Sequence, residues 1–368
     1  MSDLSPSGLA RAGRGILLLP RIEAVLTPIL ALLAGALVFS VFLLGQGKSP
    51  TEFFSLIWRA GFSSAFSWQN TLSRVSPLLF ASLCVAIPAR LGLMVIGGEG
   101  AIVLGGLSAA VLGAFGVALP APIGFALMGL GAMIIGGLWI GAIGFLRVRR
   151  GVNETIASLL MAYIATALFN HFVESVFRDP ASLNKPSTTP LPDGLRVGEM
   201  PFLDAHWGVA FGVLACIGAW AFIERTTIGF AARVTGDNIR AAQVQGFAVS
   251  RLVIGFCMLA GALAGLGGMF EVAAVHGAAN ASLISGVGYT GILVAFLARH
   301  NPLAIIPVAI LLAGIEASSG LVQRRMDLPD ATILVLQGCV FIAVLLSETL
   351  QGRLPDFIQK LNWRAQNG

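Results

Sequence analysis

Charge is what this sequence has least of. Asp, Glu, Lys and Arg make up 11% of its 368 residues, against 56% hydrophobic residues, and mean hydropathy is +0.86. Soluble domains carry about 25% charged residues. A chain this apolar cannot clothe itself for water, and no soluble segment is long enough to bury a core of its own. The expected class is an all-α polytopic membrane protein with one membrane domain. Cysteine is scarce as well: Cys84, Cys216, Cys257 and Cys339 lie in apolar stretches without metal-ligand spacing. That pattern reads as helix packing, not as a disulfide framework or a metal site. The Gly-x-x-x-x-Gly-Lys-Ser/Thr pattern does not occur, so the chain has no P-loop. Neither a paired catalytic His motif nor a nucleophile elbow occurs. Aromatic and basic residues do not interleave as in a single-strand binder, and nucleic acid is excluded as a partner.

What is present is a succession of apolar runs about as long as a bilayer-spanning helix. The expected spans are Ala24–Gly45, 71–90, a third ending near Ala118, Ile123–Leu146, Glu154–Val173, 206–223, 251–272, Tyr289–Ala298, 303–320 and 331–349. The second is expected to be broken at Pro77 and Pro88. Gln46–Gln69, with Trp58 and Trp68, reads as an interfacial helix. Residues 1–23 form a cytoplasmic N-terminal segment, 24–350 the transmembrane domain and 351–368 a cytoplasmic tail. Ten crossings put both termini on one side. With that side inside, Lys and Arg favour it by nearly two to one, as the positive-inside rule asks. The external loop 175–205 is too rich in proline to be one helix. No internal repeat is visible.

Two features interrupt this apolar series. The first is the polar, basic loop 225–251, RTTIGFAARVTGDNIRAAQVQGFAVSR. Within it Asn238–Gln245 is a good helix former, with Thr235 or Asp237 as cap and Gly246 as stop. Ile239, Ala242 and Gln243 would share one side, and Ala241 and Ala242 would leave a low surface for another protein. The second feature is a pair of glycine-rich breaks. Gly97, Gly98 and Gly100 permit unwound backbone around Glu99, which is expected to face the interior. A structural role is favoured for Glu99, holding the broken helix through backbone N–H groups. The other break, His276–Gly288, is flanked by Glu271 and His276 and contains Asn280, Ser282 and Ser285. Discontinuous helices of this kind often carry a transporter's binding site. Phe270, Tyr289 and Phe296 are candidates to stack on a flat ring, with helix packing as the plainer reading. Glu316 is a further costly acid in an apolar helix. The Asn153-Glu154 pair reads as a helix start favoured by the dipole.

The loop resembles the coupling helix of ABC importer permeases. The matching residues are Gly236, the pair Asp237-Asn238, Ala241-Ala242 and Gly246, with Arg240 between them. A wider resemblance runs from about Thr71 to Glu348, through ARLGLMVIGGEG, RRGVNETIASLLMAYIA, the loop, GGMFEVAAVHG and GYTGILVAFLARHNPLAIIPVAILLAGIEASSG. It is to the permeases of simple-sugar and nucleoside uptake, with branched-chain amino-acid permeases as relatives. Relatives carry Asn-Ile-Gly-x-Glu-Gly-Gln at the first break, where this chain has Val95 and Ala101 in place of the Asn and Gln. The resemblance implies a permease subunit with no cofactor of its own in a bacterial inner membrane. A separate ABC ATPase would hold ATP and Mg, a second permease subunit would complete the pathway, and an extracytoplasmic binding protein would deliver cargo, with membrane lipid around them. Gly236, Asp237, Asn238, Arg240, Ala241, Ala242 and Gly246 would couple to the ATPase. Gly97, Gly98, Glu99, Phe270, Glu271, Asn280 and Tyr289 would line the substrate pathway. The alternatives are a permease for branched-chain amino acids or another small polar solute, an ion-coupled secondary transporter using Glu99, Glu271 or Glu316, and a membrane enzyme.

Overall fold

The structure, a computed structural model, describes residues 27–116, 120–201 and 204–350. Expectations for the two terminal segments fall outside these residues. Eight described helices are long and apolar enough to cross a membrane. They are α1 (Thr27–Gly45), α3 (Ala65–Ala89), α4 (Gly98–Phe115), α5 (Ala121–Arg150), α6 (Glu154–Glu174), α7 (Gly208–Arg225), the run that opens with α10 (Val249–Phe270), and the run that opens with α12 (Pro302–Ala317). Two shorter apolar helices, α11 (Val287–Leu297) and α14 (Ala331–Leu350), stand where the other two of the ten spans were expected. The remaining helices are α2 (Pro50–Gly61), α8 (Thr227–Asp237), α9 (Ile239–Val244) and α13 (Ser319–Met326).

The chain divides into two compact units, one from Met1–Phe54 with Gln323–Gly368 and one from Ser55–Val322. In the first, α1 and α14 meet where Gly35 has no side chain: a Cβ there would lie 2.6 Å from the Val340 Cα. Close approach through small residues is how helices associate in lipid, where no hydrophobic effect drives them together. Phe39, Leu43 and Phe53 are fully buried, and the Phe39 and Phe53 rings lie 4.9 Å apart. The Lys48 ammonium donates to the Met326 carbonyl at 2.6 Å.

The second unit is built on α4, α5 and α10. A Cβ at Gly105 would strike Gly265, and one at Gly261 would strike Gly136, so the three helices touch backbone to backbone. The apolar core between them holds Phe80, Met128, Phe169 and Phe270.

Helix α3 departs from expectation. It runs unbroken from Ala65 to Ala89 with Pro77 and Pro88 inside it, capped by Ser64, whose side chain accepts from the Ser67 N–H. Proline removes the hydrogen bond to the carbonyl four residues back. Behind Pro77 that carbonyl belongs to Ser73, and the buried His206 ring takes it, Nε2 to O 3.2 Å. Membrane helices keep internal prolines where neighbours re-satisfy the freed groups. The segment expected to be one interfacial helix is instead α2 and the first turn of α3, with Trp58 and Trp68 both exposed.

Candidate functional site

The two glycine-rich breaks form one site. Glu99 stands in the first turn of α4 and is 2% exposed. Its carboxylate accepts two backbone N–H groups from the far break: Gly286 to Oε1 at 2.8 Å and Gly288 to Oε2 at 2.6 Å. These donors stand at the start of α11, whose cap, Gly286, has φ +80. The first N–H groups of a helix lack partners within it, and the positive end of the helix favours an anion. Gly288 is fitted to this contact, because a Cβ there would collide with the Glu99 backbone. Gly97 packs as closely on α6, its Cβ position 2.7 Å from the Ser158 carbonyl. The Ser158 hydroxyl in turn accepts from the Ile96 N–H at 2.9 Å.

Helix α10 does not stop at Phe270. It widens into a π-helical turn, Glu271–His276, and ends at Gly277 with φ +67. Wide turns of this type recur at functional sites. Within the turn the His276 ring pairs with the Glu271 carboxylate, Nε2 to Oε2 3.4 Å. Glu271 is also within electrostatic reach of Arg74, Glu316 and Glu99, so four charged side chains from α3, α4, α10 and α12 converge. Such groups within a membrane segment mark a pathway. Tyr289, on the first turn of α11, is 40% exposed and interacts electrostatically with Glu99 and Tyr163.

Two of the expected pathway residues are engaged by the protein itself. Phe270 is buried and lies parallel to Phe80, centroids 5.7 Å apart and planes 14° apart, with Phe211 at 5.4 Å. The same ring also lines a cavity of about 500 Å³ with Trp207, Phe211 and Met269. The Asn280 side chain accepts from the Ser282 N–H and caps a single 3-10 turn. Phe296 meets His300 edge to face at 4.8 Å.

Loop 175–205 straps the second break, a contact that sequence spacing does not reveal. Val197 N–H donates to the Ala273 carbonyl at 2.9 Å and Leu191 N–H to Gly277 at 2.7 Å. Thr188 exchanges bonds with Ala279: its N–H donates to the carbonyl, and its hydroxyl accepts from the N–H. Lys185 reaches Ser282 at 2.7 Å. Unwound backbone at the edge of a membrane must find such partners.

The polar loop 225–251 contains two helices, not one. Helix α8 forms where no helix was expected, capped by Thr226 and pinned when Arg233 donates to Glu224 at 2.6 Å. Gly236 lets the end of α8 lie on the turn after α3, since a Cβ there would meet the Arg90 carbonyl. Arg90 itself lies 3.8 Å from Glu224. Burial lowers the Arg90 pKa, and the Glu224 charge partly restores it. The cap of α9 is Asn238, whose side chain accepts from the Ala241 N–H at 3.1 Å, in place of Thr235 or Asp237. Thr235 is buried and bonds to Ala231. Asp237 is the last residue of α8. Gly246, with φ +82, ends the element as expected. The faces differ from expectation: Ala242 is fully buried, Ala241 is half-buried, and Ile239, Arg240, Gln243 and Val244 point outward. Val244 is 88% exposed.

At the same end Arg147 pairs with Glu154 at 3.3 Å beside the Asn153 cap. His300 lies near Arg90; burial first, then the Arg90 charge, depress its imidazole to about 4.

Comparison with known proteins gives this arrangement its context. Residues 67–345 match the family described as branched-chain amino acid transport system / permease component. A glucose ABC transporter permease protein, TsgB13 of Haloferax volcanii, is 30% identical over 332 residues, covering 88% of this chain and 87% of that protein. The guanosine ABC transporter permease protein NupP of Bacillus subtilis is 28% identical over 338 residues, 86% and 93% of the two chains. A nucleoside ABC transporter permease protein, NupB of Lactococcus lactis, is 24% identical over 340 residues, 90% and 93%.

Proposed function

We propose, from the premise that this chain belongs to the branched-chain amino acid transport system / permease component family, that it forms the pathway of an importer for a nucleoside or simple sugar. The coarser statement stands on family membership: the chain is a multi-pass ABC permease subunit, and such subunits carry no ATPase activity. The cargo class is our reading. It is supported by relatives named for glucose, guanosine and nucleosides, each aligned along most of both chains. In this reading a second permease subunit completes the pathway, an external binding protein delivers cargo, and a separate ATPase holds ATP and Mg. The assembly sits in a prokaryotic cytoplasmic membrane.

The observation that carries the coupling role is α9. It is a short capped helix at the end bearing Arg90, Arg147 and Arg233, and it exposes Val244 and half of Ile239. Glu99, with Gly97 and Gly98, joins the two breaks. The Glu271 cluster and Tyr289 line the path beside them. When the ATPases close, α9 is pushed, α8 moves against the Arg90 turn, and α3 carries the displacement to Arg74 and the charged cluster.

The test uses the purified assembly in lipid. Val244→Asp should leave the thermal stability of the permease unchanged while removing ATPase retention and cargo-stimulated ATP hydrolysis. Unchanged stimulation would refute the coupling role. For the cargo, the paired binding protein should be thermally stabilised by nucleosides or sugars. Stabilisation by leucine or isoleucine alone would move the chain to the amino-acid branch.

A further inference from the structure

A groove of about 640 Å³ opens beside α8, walled by the end of α7, the start of α10 and the return segment Phe247-Ala248. Its lining is apolar, with Phe222, Ile228, Leu252, Phe256 and Leu259 forming most of it. Only two lining side chains are polar. Arg251 is exposed and has no ion pair among the described residues, and Thr227 is the first residue of α8. Arg225, exposed on the last turn of α7, rests over Trp220 at 5.2 Å and has no carboxylate partner among the described residues either.

We propose that this groove holds an anionic phospholipid, with an acyl chain along Phe256 and Leu259 and the phosphate at Arg251. Both walls are membrane-spanning helices, so the apolar part of the groove is open to acyl chains. Charge chooses among lipids. Among the described residues neither Arg251, which lines the groove, nor Arg225, on the adjoining last turn of α7, has a carboxylate partner, and α8 adds its positive end at Thr227. Anionic headgroups are drawn to Lys and Arg at this depth. A protein helix would have to bury Arg251 against an acid of its own, whereas a phospholipid brings its charge already placed above its chains.

The groove also borders the moving part. Thr227, Ile228 and Ala231 belong to α8, and Phe247-Ala248 leads out of α9. A lipid here braces α8 against α10, so the stroke passed from the ATPase is transmitted only while the lipid is in place. Lipid binding requires only that the chain spans a bilayer. The effect on transport rests on the coupling role proposed above, and the two are read separately.

Gly255 supplies a clean variant. It lines the groove, and a Cβ there would meet nothing within 4 Å. Gly255→Leu therefore projects a side chain into the groove from an open Cβ position and raises helix propensity. The intact transporter, released from phosphatidylcholine nanodiscs with and without phosphatidylglycerol, is weighed by native mass spectrometry. Wild type should retain phosphatidylglycerol over phosphatidylcholine. Arg251→Gln should cut that preference about fivefold, and Gly255→Leu should abolish retention with the fold intact. Cargo-stimulated ATPase should fall in phosphatidylcholine alone and become independent of phosphatidylglycerol in Gly255→Leu. Equal retention of both lipids, or wild-type retention in both variants, refutes the site. Protection of a cysteine placed at 255 by the ATPase, and not by phosphatidylglycerol, assigns the groove to protein and overturns the proposal. Selective retention with an unchanged ATPase response refutes only the brace.

Discussion

Glu99 and Glu271 are both acids inside an apolar bundle, and they are held in opposite ways. Both oxygens of Glu99 are bound by backbone N–H groups at the start of another helix. Glu271 has one ring partner at 3.4 Å, and its other neighbours are charged side chains. Backbone donors cannot swing away, so they make an acid structural. Side-chain partners can exchange for a ligand or for one another. The first acid is a latch between the breaks, and the second is held by partners that can move.

That contrast is open to direct attack. The largest effect should come from Glu99→Ala, which strands the buried Gly288 N–H and the part-buried Gly286 N–H. Each charge-assisted bond is worth ~1.5–3 kcal/mol, so the loss should be about 3–6 kcal/mol, read as a large fall in apparent unfolding temperature in detergent. Gly288→Ala attacks the same latch from the donor side and should be nearly as severe. Glu99→Gln keeps the shape and one acceptor and should fall about halfway. If it behaves like wild type, the charge on the latch is immaterial.

Glu271→Gln sharpens the other side. Stability should change by no more than ~1 kcal/mol, while the cargo concentration for half-maximal uptake should rise several-fold. A stability loss matching Glu99→Ala would erase the distinction. The smallest effect concerns pH. His300 titrates near 4 in the fold and near 6.5 when unfolded. Below 6.5 the unfolded chain binds the extra proton, so this contribution is present above pH 6.5 and is lost as pH falls toward 4. His300→Gln should flatten the decline in unfolding temperature between pH 7 and 5. An identical decline would place the sensitivity elsewhere.

The helices were legible because apolar runs of bilayer length permit little else. Glu99 was legible in kind: an acid among glycines needs backbone donors. Its donors were not, because they lie 187 residues away. The Arg90–Glu224–Arg233 group was hidden for the same reason. Helix α8 was missed because Gly229, Gly236 and β-branched residues argue against a helix locally. Its stability is tertiary, from the Glu224–Arg233 pair and the close seat of Gly236. Ala241 and Ala242 suggested a docking surface, yet Ala is also what a helix places against its own protein. Ala242 does so, and the outward face falls to Ile239 and Val244.

The 187-residue reach of Glu99 also sets a schedule. At about 5–20 residues per second of synthesis, α4 precedes the α11 donors by roughly 10–40 s. For that interval the nascent chain holds an acid in a membrane helix with neither of its eventual partners made. A midplane acid costs ~2.5–3.5 kcal/mol on insertion scales. Early α4 must therefore stay near the interface or shelter against its neighbours. The last third of the polypeptide is what lets the first third settle.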